Sequence, residues 1–333
     1  MCGFLVVGSS ELELQVFNDA LNQAAYRGPD HQHVSINNGI TWGFNRLSIM
    51  DLSSKGNQPF VYKDCVLVCN GEVYNYHSLK AMLETDYTFK SGSDCEVLIP
   101  LYHKYGIEIL CKFLDAEFAM VIYDAKKDKI LAARDPMGIR PMFYGYHKED
   151  GKICFASEAK GLFPLCQEIM PFPPGHYYED GKFICYNDLS NPKTINNDDL
   201  ETIATNLRLK LEKAVKKRLQ SDAPIGYLLS GGLDSSLVCA IAARLNDQPI
   251  KTFAIGMDTD PIDLKYAKQV ADYLGTDHTE VIMTKEDLLE NLRDVIFHLE
   301  TYDITTIRAS MAMYLLCKYI HEKTDLKVIL TGE

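Results

Sequence analysis

Short apolar, β-branched segments separated by Gly, Asn and Asp fill the chain from about residue 4 to residue 186: FLVVG, ITWGF, CVLVCNG, FAMVIYD, KILAARD, ICFAS and HYYEDGKFICY. Runs of this length and composition predict layered antiparallel β-structure. Two stretches of helical texture interrupt them, from about Glu11 to Tyr26 and from about Asp94 to Tyr105. The polar segment NDLSNPKTINNDD, residues 187–199, contains Pro192 and has no apolar periodicity, which predicts a linker. The expected organisation is a first domain over 1–186, a linker over 187–199 and a second domain over 200–333.

Beyond the linker the pattern changes to helix and strand in alternation. A helix from about Leu200 to Leu219 leads into the apolar strand Ile225–Leu229, a Gly-rich turn and a helix over Ser235–Leu245. Leu237, Ile241 and Leu245, four apart, predict one apolar stripe on that helix. Further strands are predicted over Lys251–Ile255, Glu280–Met283 and Lys327–Leu330, with helices between them. This alternation predicts a parallel, doubly wound sheet that binds ligands at the carboxyl ends of its strands.

With 333 residues, 47% of them hydrophobic, the chain is long enough to bury two cores. Apolar stretches such as Val66–Cys69 and Tyr227–Leu229 fall far short of the roughly 20 residues a membrane span needs. The start, MCGFLVVGSS, has no basic residue ahead of its apolar run, so no secretory leader is expected and a cytoplasmic protein is. A net charge of −12, from 34 basic and 46 acidic residues with no Lys/Arg run, argues against nucleic acid as a partner. The ten cysteines are expected to be reduced and mostly buried. Cys65 and Cys69 lie four apart, but no second Cys or His pair follows at zinc-site spacing.

Cys2 stands apart by position. Removal of Met1 would leave one residue carrying both a thiol and a free α-amine, with ordinary pKa values of about 8.5 and about 7.7 to 8.0, so the neutral amine can take the thiol proton near neutral pH. The thiolate can then attack an amide carbonyl, form a thioester and release ammonia. Behind Cys2 come RGPD (Arg27–Asp30), NRLSI (Asn45–Ile49), NGEVYN (Asn70–Asn75) and SGSDCEV (Ser91–Val97). With these segments in this order, the sequence resembles the class II, N-terminal-nucleophile glutamine amidotransferases. The resemblance implies an α+β sandwich of αββα layers, two antiparallel sheets between helices. It places Arg46, at the head of Arg46-Leu47-Ser48-Ile49-Met50, against the α-carboxylate of glutamine, a role suited to a bidentate guanidinium. It pairs Asp94, helped by Glu72, with the α-ammonium. It makes the Asn70 side chain and the Gly71 backbone N–H the oxyanion hole. RDPMGIRP (Arg134–Pro141) and FASEAKGL (Phe155–Leu162) also resemble this superfamily and are expected to serve structure, since no nucleophile-base pair is evident within them.

The second domain contributes YLLSGGLDSS, Tyr227–Ser236, an apolar strand running through Ser-Gly-Gly into a helix. Such a join aims backbone N–H groups at an anion, with Ser230, Gly231, Gly232, Ser235 and Ser236 around a positive helix N-terminus. It is similar to the SGGxDS loop of the ATP pyrophosphatases, an α/β doubly wound family that cleaves ATP to AMP and pyrophosphate. By that resemblance Asp234 organises Mg2+ and pyrophosphate, Leu229 and Ile255 contact the adenosine, and Thr331 and Gly332 line the nucleotide pocket. Glu333 is a catalytic candidate.

HLETYDITTIRASMAMYL, His298–Leu315, is similar to a stretch of the asparagine synthetases, which implies aspartate as acceptor, with Thr305, Thr306 and Arg308 near acceptor or phosphates. The alternative for this segment is a helix start capped by Asp303 with Arg308 solvated. The implied reaction converts aspartate, ATP and glutamine to asparagine, AMP, pyrophosphate and glutamate, with ammonia led through an internal channel to an aspartyl adenylate. A homodimer is a candidate assembly. The chain stops at ILTGE, where asparagine synthetases continue, so a fragment of a longer protein is expected. A glutaminase alone, a related ligase with another carboxylate acceptor and a non-catalytic binding module stay open as alternatives.

Overall fold

Alternation along the first strand sets the layers of the N-terminal unit. In β1 (Gly3–Val7), Phe4 and Val6 join a core with Val66, Val68, Ala119 and Val121, while Leu5 and Val7 point the other way, onto Phe17 and Leu21 of helix α1 (Leu14–Asn22). Side chains of an extended strand alternate faces, so this apolar run is buried on both sides. The computed structural model describes residues 1–9, 11–192, 194–259 and 261–332, and its contacts divide the chain into two units, 1–195 and 196–333.

Two six-stranded antiparallel sheets build the first unit. The first sheet contains β1, β2 (His31–Asn37), β3 (Ile40–Arg46), β8 (Phe143–His147), β9 (Ile153–Ala156) and β10 (Cys166–Pro171), in the order β10-β8-β9-β1-β3-β2. The second contains β4 (Phe60–Tyr62), β5 (Cys65–Val73), β6 (Ala116–Asp124), β7 (Lys129–Arg134), β11 (His176–Glu179) and β12 (Lys182–Cys185), in the order β12-β11-β7-β6-β5-β4. Leu67, Cys69, Met120 and Ile122, on the outer face of the second sheet, pack against Leu79 and Leu83 of α2 (Tyr76–Leu83) and against Leu98, Ile99 and Leu110 of α3 (Leu98–Phe113). The layers therefore run α1, sheet, sheet, α2 with α3, the αββα sandwich expected.

Each strand read from the apolar runs forms. The pattern did not show β2, β4, β8, β10 or α2. The β2 sequence HQHVSIN lies at a sheet edge and buries no residue fully, so its polar composition carries no strand signal. The second predicted helix begins later than expected: residues 94–97 form a 3-10 turn, and α3 runs on to Phe113 past a break at Gly106, whose φ is 80°.

The second unit is a parallel sheet of β13 (Ile225–Leu228), β14 (Lys251–Met257), β15 (Asp277–Met283) and β16 (Val328–Leu330), in the order β15-β14-β13-β16. One face packs Tyr227 and Ala254 against Cys239 and Ala242 of α5 (Leu233–Leu245) and against Leu264, Ala267 and Ala271 of α6 (Ile262–Leu274). The other packs Leu228 and Phe253 against Leu316 and Ile320 of α8 (Ile304–Lys323). Helices on both faces make the doubly wound arrangement. The stripe expected on α5 is not the buried one: Leu237 and Leu245 are 41% and 46% exposed, and the helix approaches the sheet through Cys239 and Ala242, three apart, with Ile241 beside them. Small side chains let the backbone come close, and the two leucines turn outward. Helix α4 (Leu200–Arg218) precedes the sheet and α7 (Lys285–Leu299) packs on α8 through Val295, Ile307 and Met311. Among the described residues no helix is long and apolar enough to cross a membrane.

Candidate active sites

Pairing of β1 with β3 sets Gly3 opposite Asn45, which brings Cys2 to the end of β3. There the Cys2 thiol is bracketed by one residue: the Leu47 N–H reaches Sγ at 3.4 Å, and Sγ faces the Leu47 carbonyl at 3.5 Å. Arg27 donates from Nε to the Cys2 carbonyl at 2.9 Å. Asn70, fully buried in β5, completes the contact from the second sheet. With its amide turned to suit its neighbours, the side-chain nitrogen donates to the Cys2 carbonyl at 3.2 Å and the oxygen accepts from Arg27 Nη2 at 3.3 Å.

Gly71 follows on the same strand. Phe118, opposite it on β6, turns its carbonyl and N–H to Asp135, so Gly71 and Phe118 form a non-hydrogen-bonded pair and the Gly71 N–H points away from β6. Glycine is required here for close approach as well as for any ligand: a Cβ at Gly71 would lie 2.6 Å from the Glu117 carbonyl and 2.9 Å from Phe118 Cβ.

Burial dominates the electrostatics. It holds the Met1 amine down at about 5 and pushes the Cys2 thiol up, against the opposing pull of that amine. Glu72 and Asp94 repel one another in the same enclosure. Burial first, then Asp94, lifts Glu72 to about 8, and burial lifts Asp94 to about 6 although it accepts from the Val73 N–H at 2.6 Å. Asp94 therefore ties its carboxylate to β5 and the 3-10 turn has no side-chain cap. A cationic group placed between these carboxylates would pull both down, and its binding releases protons wherever they were still protonated. If that group is the α-ammonium of glutamine and both carboxylates must be charged to hold it, KM for glutamine should rise about tenfold per pH unit as pH falls below about 8 and more steeply below about 6, which a pH series of initial rates measures. For stability the sign is opposite. These raised carboxyls favour the fold most at low pH and lose that contribution as pH rises from the ordinary carboxylate range through about 8.

The other residues read as glutamine contacts are placed differently. Arg46 is buried, and its guanidinium donates to the Ser53 carbonyl and the Asn57 side chain at 2.7 and 2.6 Å and to the carbonyls of Met50 and Asp51. It pins the loop that follows β3; its fork is engaged there. The Ser48 N–H is taken by Asp30 at 2.7 Å, and Ile49 and Met50 are half-buried. RDPMGIRP braces a turn through Arg134 and Asp135, and Arg140 reaches out of that turn. Its guanidinium contacts the Met1 thioether and lies 3.5 Å from Glu117. In FASEAKGL, Glu158 pairs with Arg27 at 2.9 Å. Charged residues inside otherwise apolar motifs were the available signal for both.

In the second unit the loop after β13 forms one wall of a cavity of about 440 Å³. Leu229, Ser230, Gly232, Asp234 and Ser235 line it, together with Ile255 of β14 and with Thr331 and Gly332 just past β16, at the carboxyl ends of the strands. Gly231 and Ser236 are not among the lining residues. Gly231 has φ 80°, and a Cβ there would lie 2.6 Å from the backbone nitrogen of Ala267, so this glycine allows the loop to turn beneath α6. The Ser236 hydroxyl bonds back to the Gly232 carbonyl at 2.6 Å, while Ser230 and Ser235 share a hydrogen bond of 2.9 Å. Sequence reading did not pick out Asp263, Ala309, Met313 or Leu316, which also face the cavity. Thr305, Thr306 and Arg308 do not line it: all three are exposed in the first turn of α8, where Asp303 caps the helix by accepting from the Thr306 N–H at 2.7 Å. Glu333 lies outside the described residues.

Fold and sites together define the class, an N-terminal-nucleophile sandwich followed by a nucleotide-loop α/β unit. The chain belongs to the glutamine amidotransferase family, whose domain model matches residues 1–174, and an asparagine synthase model matches residues 206–333. It is 41% identical to a probable glutamine-hydrolysing asparagine synthetase of Schizosaccharomyces pombe, over all of this chain and 64% of that protein. It is 42% identical to asparagine synthetase B of Escherichia coli, over 92% of this chain and 58% of that one. For the glutamine-hydrolysing asparagine synthetase of Mus musculus the values are 40%, 100% and 65%. The chain thus spans about three-fifths of the length of the curated relatives it matches.

Proposed function

We propose that the first unit hydrolyses glutamine at Cys2 once Met1 is removed, and that the whole protein uses the ammonia to make asparagine from aspartate and ATP. The observation that carries the first step is the half-buried thiol bracketed by Leu47, with the Asn70 amide and the Gly71 N–H supplied by β5 of the facing sheet. With Met1 removed, the neutral α-amine of Cys2 is the form that can accept the thiol proton. The thiolate attacks the carboxamide carbon, Asn70 and Gly71 stabilise the oxyanion, and the intermediate expels ammonia with the proton held by the amine. Water then hydrolyses the thioester to glutamate. Donors placed where charge develops are worth about 3 to 4 kcal/mol each.

Glu72 and Asp94 receive the α-ammonium, and Arg46 frames the carboxylate end by holding the 50–57 loop. Direct contact between Arg46 and the carboxylate requires that it exchange one loop carbonyl for the ligand.

In the second unit the reading is supported by the Ser-Gly-Gly turn at the N-terminus of α5 and the cavity beside it. ATP phosphates meet the loop, and Leu229 and Ile255 meet the adenosine. The aspartate β-carboxylate attacks the α-phosphorus, pyrophosphate leaves, and ammonia displaces AMP from the acyl adenylate. Ammonia must arrive unprotonated, because ammonium has no lone pair. Asp234, which lines the cavity, is the residue that would hold Mg2+, and the ion would supply positive charge against the substrate phosphates. Thr305, Thr306 and Arg308 belong to the acceptor side of this reading. The ten free thiols suit a reducing, cytoplasmic setting.

Two assays test the two halves. Chain lacking Met1 should release ammonia and glutamate from glutamine in equal amounts, and a protein extended to the length of its relatives should release pyrophosphate from ATP only with aspartate present. Hydrolysis without aspartate-dependent pyrophosphate release would leave the glutaminase and remove aspartate as acceptor.

A further inference from the structure

Cys2 and Asn70 come from different sheets, and an asparagine side chain can present either of its ends. One end of the amide carries two donors and the other only an acceptor, so an oxyanion hole needs the nitrogen turned toward the nucleophile. Arg27 decides this. A guanidinium can only donate, and Nη2 takes the Asn70 oxygen at 3.3 Å while Nε holds the Cys2 carbonyl at 2.9 Å, which leaves the Asn70 nitrogen facing Cys2. Arg27 is a long side chain, and something must fix it in turn.

Glu158 takes Arg27 Nη1 on Oε1 at 2.9 Å. Its other oxygen accepts from the Tyr26 hydroxyl at 2.6 Å and lies 3.0 Å from Lys160 Nζ, which also donates to the Tyr26 hydroxyl at 2.9 Å. Glu158, Lys160 and the Arg27 side chain are each more than nine-tenths buried. Burial alone would raise the Glu158 pKa, but Arg27, Tyr26 and Lys160 outweigh it and hold the carboxyl below its usual range, so it is charged at neutral pH. The neighbouring residue ties this group to the nucleophile's own strand: the Ser157 N–H and hydroxyl bond the carbonyl and N–H of Phe4, both at 3.0 Å.

We infer that Glu158 is a positioning residue for amide hydrolysis, which through Arg27 sets the Asn70 amide with its donor end toward Cys2. This rests on the glutaminase reading above. It assigns a reaction role to the 155–162 segment, 131 residues away from Arg27 in sequence.

The test uses the chain lacking Met1, as wild type, Glu158→Gln, Tyr26→Phe, Asn70→Ala and the Glu158→Gln/Asn70→Ala double variant. Two reactions of the same thiol are compared. Hydrolysis of glutamine develops an oxyanion, whereas alkylation by iodoacetamide displaces iodide at a saturated carbon and develops none; Cys2 labelling is followed by peptide mass spectrometry. Glu158→Gln should lower kcat for glutamine about 10- to 100-fold, with KM and the rate of Cys2 alkylation within about threefold of wild type. Tyr26→Phe should shift kcat in the same direction by about threefold, and the double variant should be no slower than Asn70→Ala alone.

The inference is overturned by an unchanged kcat in Glu158→Gln, by an equal loss of alkylation and hydrolysis, or by losses that multiply in the double variant. Should Glu158→Gln fail to fold by circular dichroism, the milder Tyr26→Phe decides, and an unchanged kcat there overturns it. Absence of hydrolysis by the wild type would remove the glutaminase reading and this inference with it. An active wild type with an unaffected Glu158→Gln removes this inference alone.

Discussion

Replacing Cys2 by Ala in the chain lacking Met1 should lower glutamine hydrolysis about ten-thousand-fold or more, to the background of the uncatalysed reaction in the cleft. No other cysteine can take over. Cys65, Cys69, Cys95, Cys111, Cys154, Cys166 and Cys239 are buried among the cores, and the exposed pair, Cys185 and Cys317, lies at the end of β12 and on α8. The loss should be chemical and not structural. The substitution removes the two sulfur contacts with the Leu47 backbone and leaves the β1 ladder intact, so unfolding stability should change by about 1 kcal/mol or less. Cys2→Ser should lose nearly as much, because a hydroxyl is far harder to ionise than a thiol. Ammonia release and urea unfolding, measured on the same preparations, check both parts; activity retained in either variant would place the nucleophile elsewhere.

Gly231→Ala should abolish measurable ATP binding and destabilise the second unit by about 3 kcal/mol or more. At φ 80° an alanine costs about 1 to 2 kcal/mol by itself, and its Cβ would stand 2.6 Å from the backbone of both Tyr266 and Ala267. The contact is with helix backbone, which cannot swing aside as a side chain can, so either α6 or the loop must move. Moving the loop breaks the hydrogen bonds among Ser230, Gly232 and Ser235 that give the cavity its shape. Gly232→Ala is the matched control. Its φ is −70°, and the nearest atom to an added Cβ is the Ser230 hydroxyl at 3.4 Å, so folding should be almost unaffected. Calorimetric titration with ATP and thermal unfolding separate the two variants.

Much of this architecture could be read from local pattern, because buried strands such as FLVVG and FAMVIYD are apolar on both faces and announce themselves. Where burial is one-sided or absent the pattern falls silent, as for the edge strand β2 with its two histidines, or α2, eight residues long. The α5 stripe misled for a related reason. Leucines at helical spacing mark a face that could be buried, whereas Cys239 and Ala242 allow closer packing and take the sheet.

The site divides the same way. Cys2, Asn70 and Gly71 are candidates from motif order, and the structure brings the Asn70 amide to Cys2, but the packing of Gly71 against the Glu117 carbonyl on the next strand is something no single segment reveals. Arg46 has the residue type expected of a carboxylate anchor, and its hydrogen bonds to the 50–57 loop are a second duty that the motif does not show. The Arg27–Glu158 pair joins positions that meet only because β9 lies beside β1, so it belongs to the topology and not to either motif.

The central claim is that Cys2 is the nucleophile that attacks glutamine. The most direct measurement is acid quenching of the Met1-free chain during glutamine turnover, followed by peptide mass spectrometry for a glutamyl thioester. The adduct is expected on the N-terminal peptide at Cys2, absent from Cys2→Ala and released as glutamate on standing in neutral buffer. A glutamyl adduct on any other cysteine, or glutamine turnover that continues in Cys2→Ala, would contradict it.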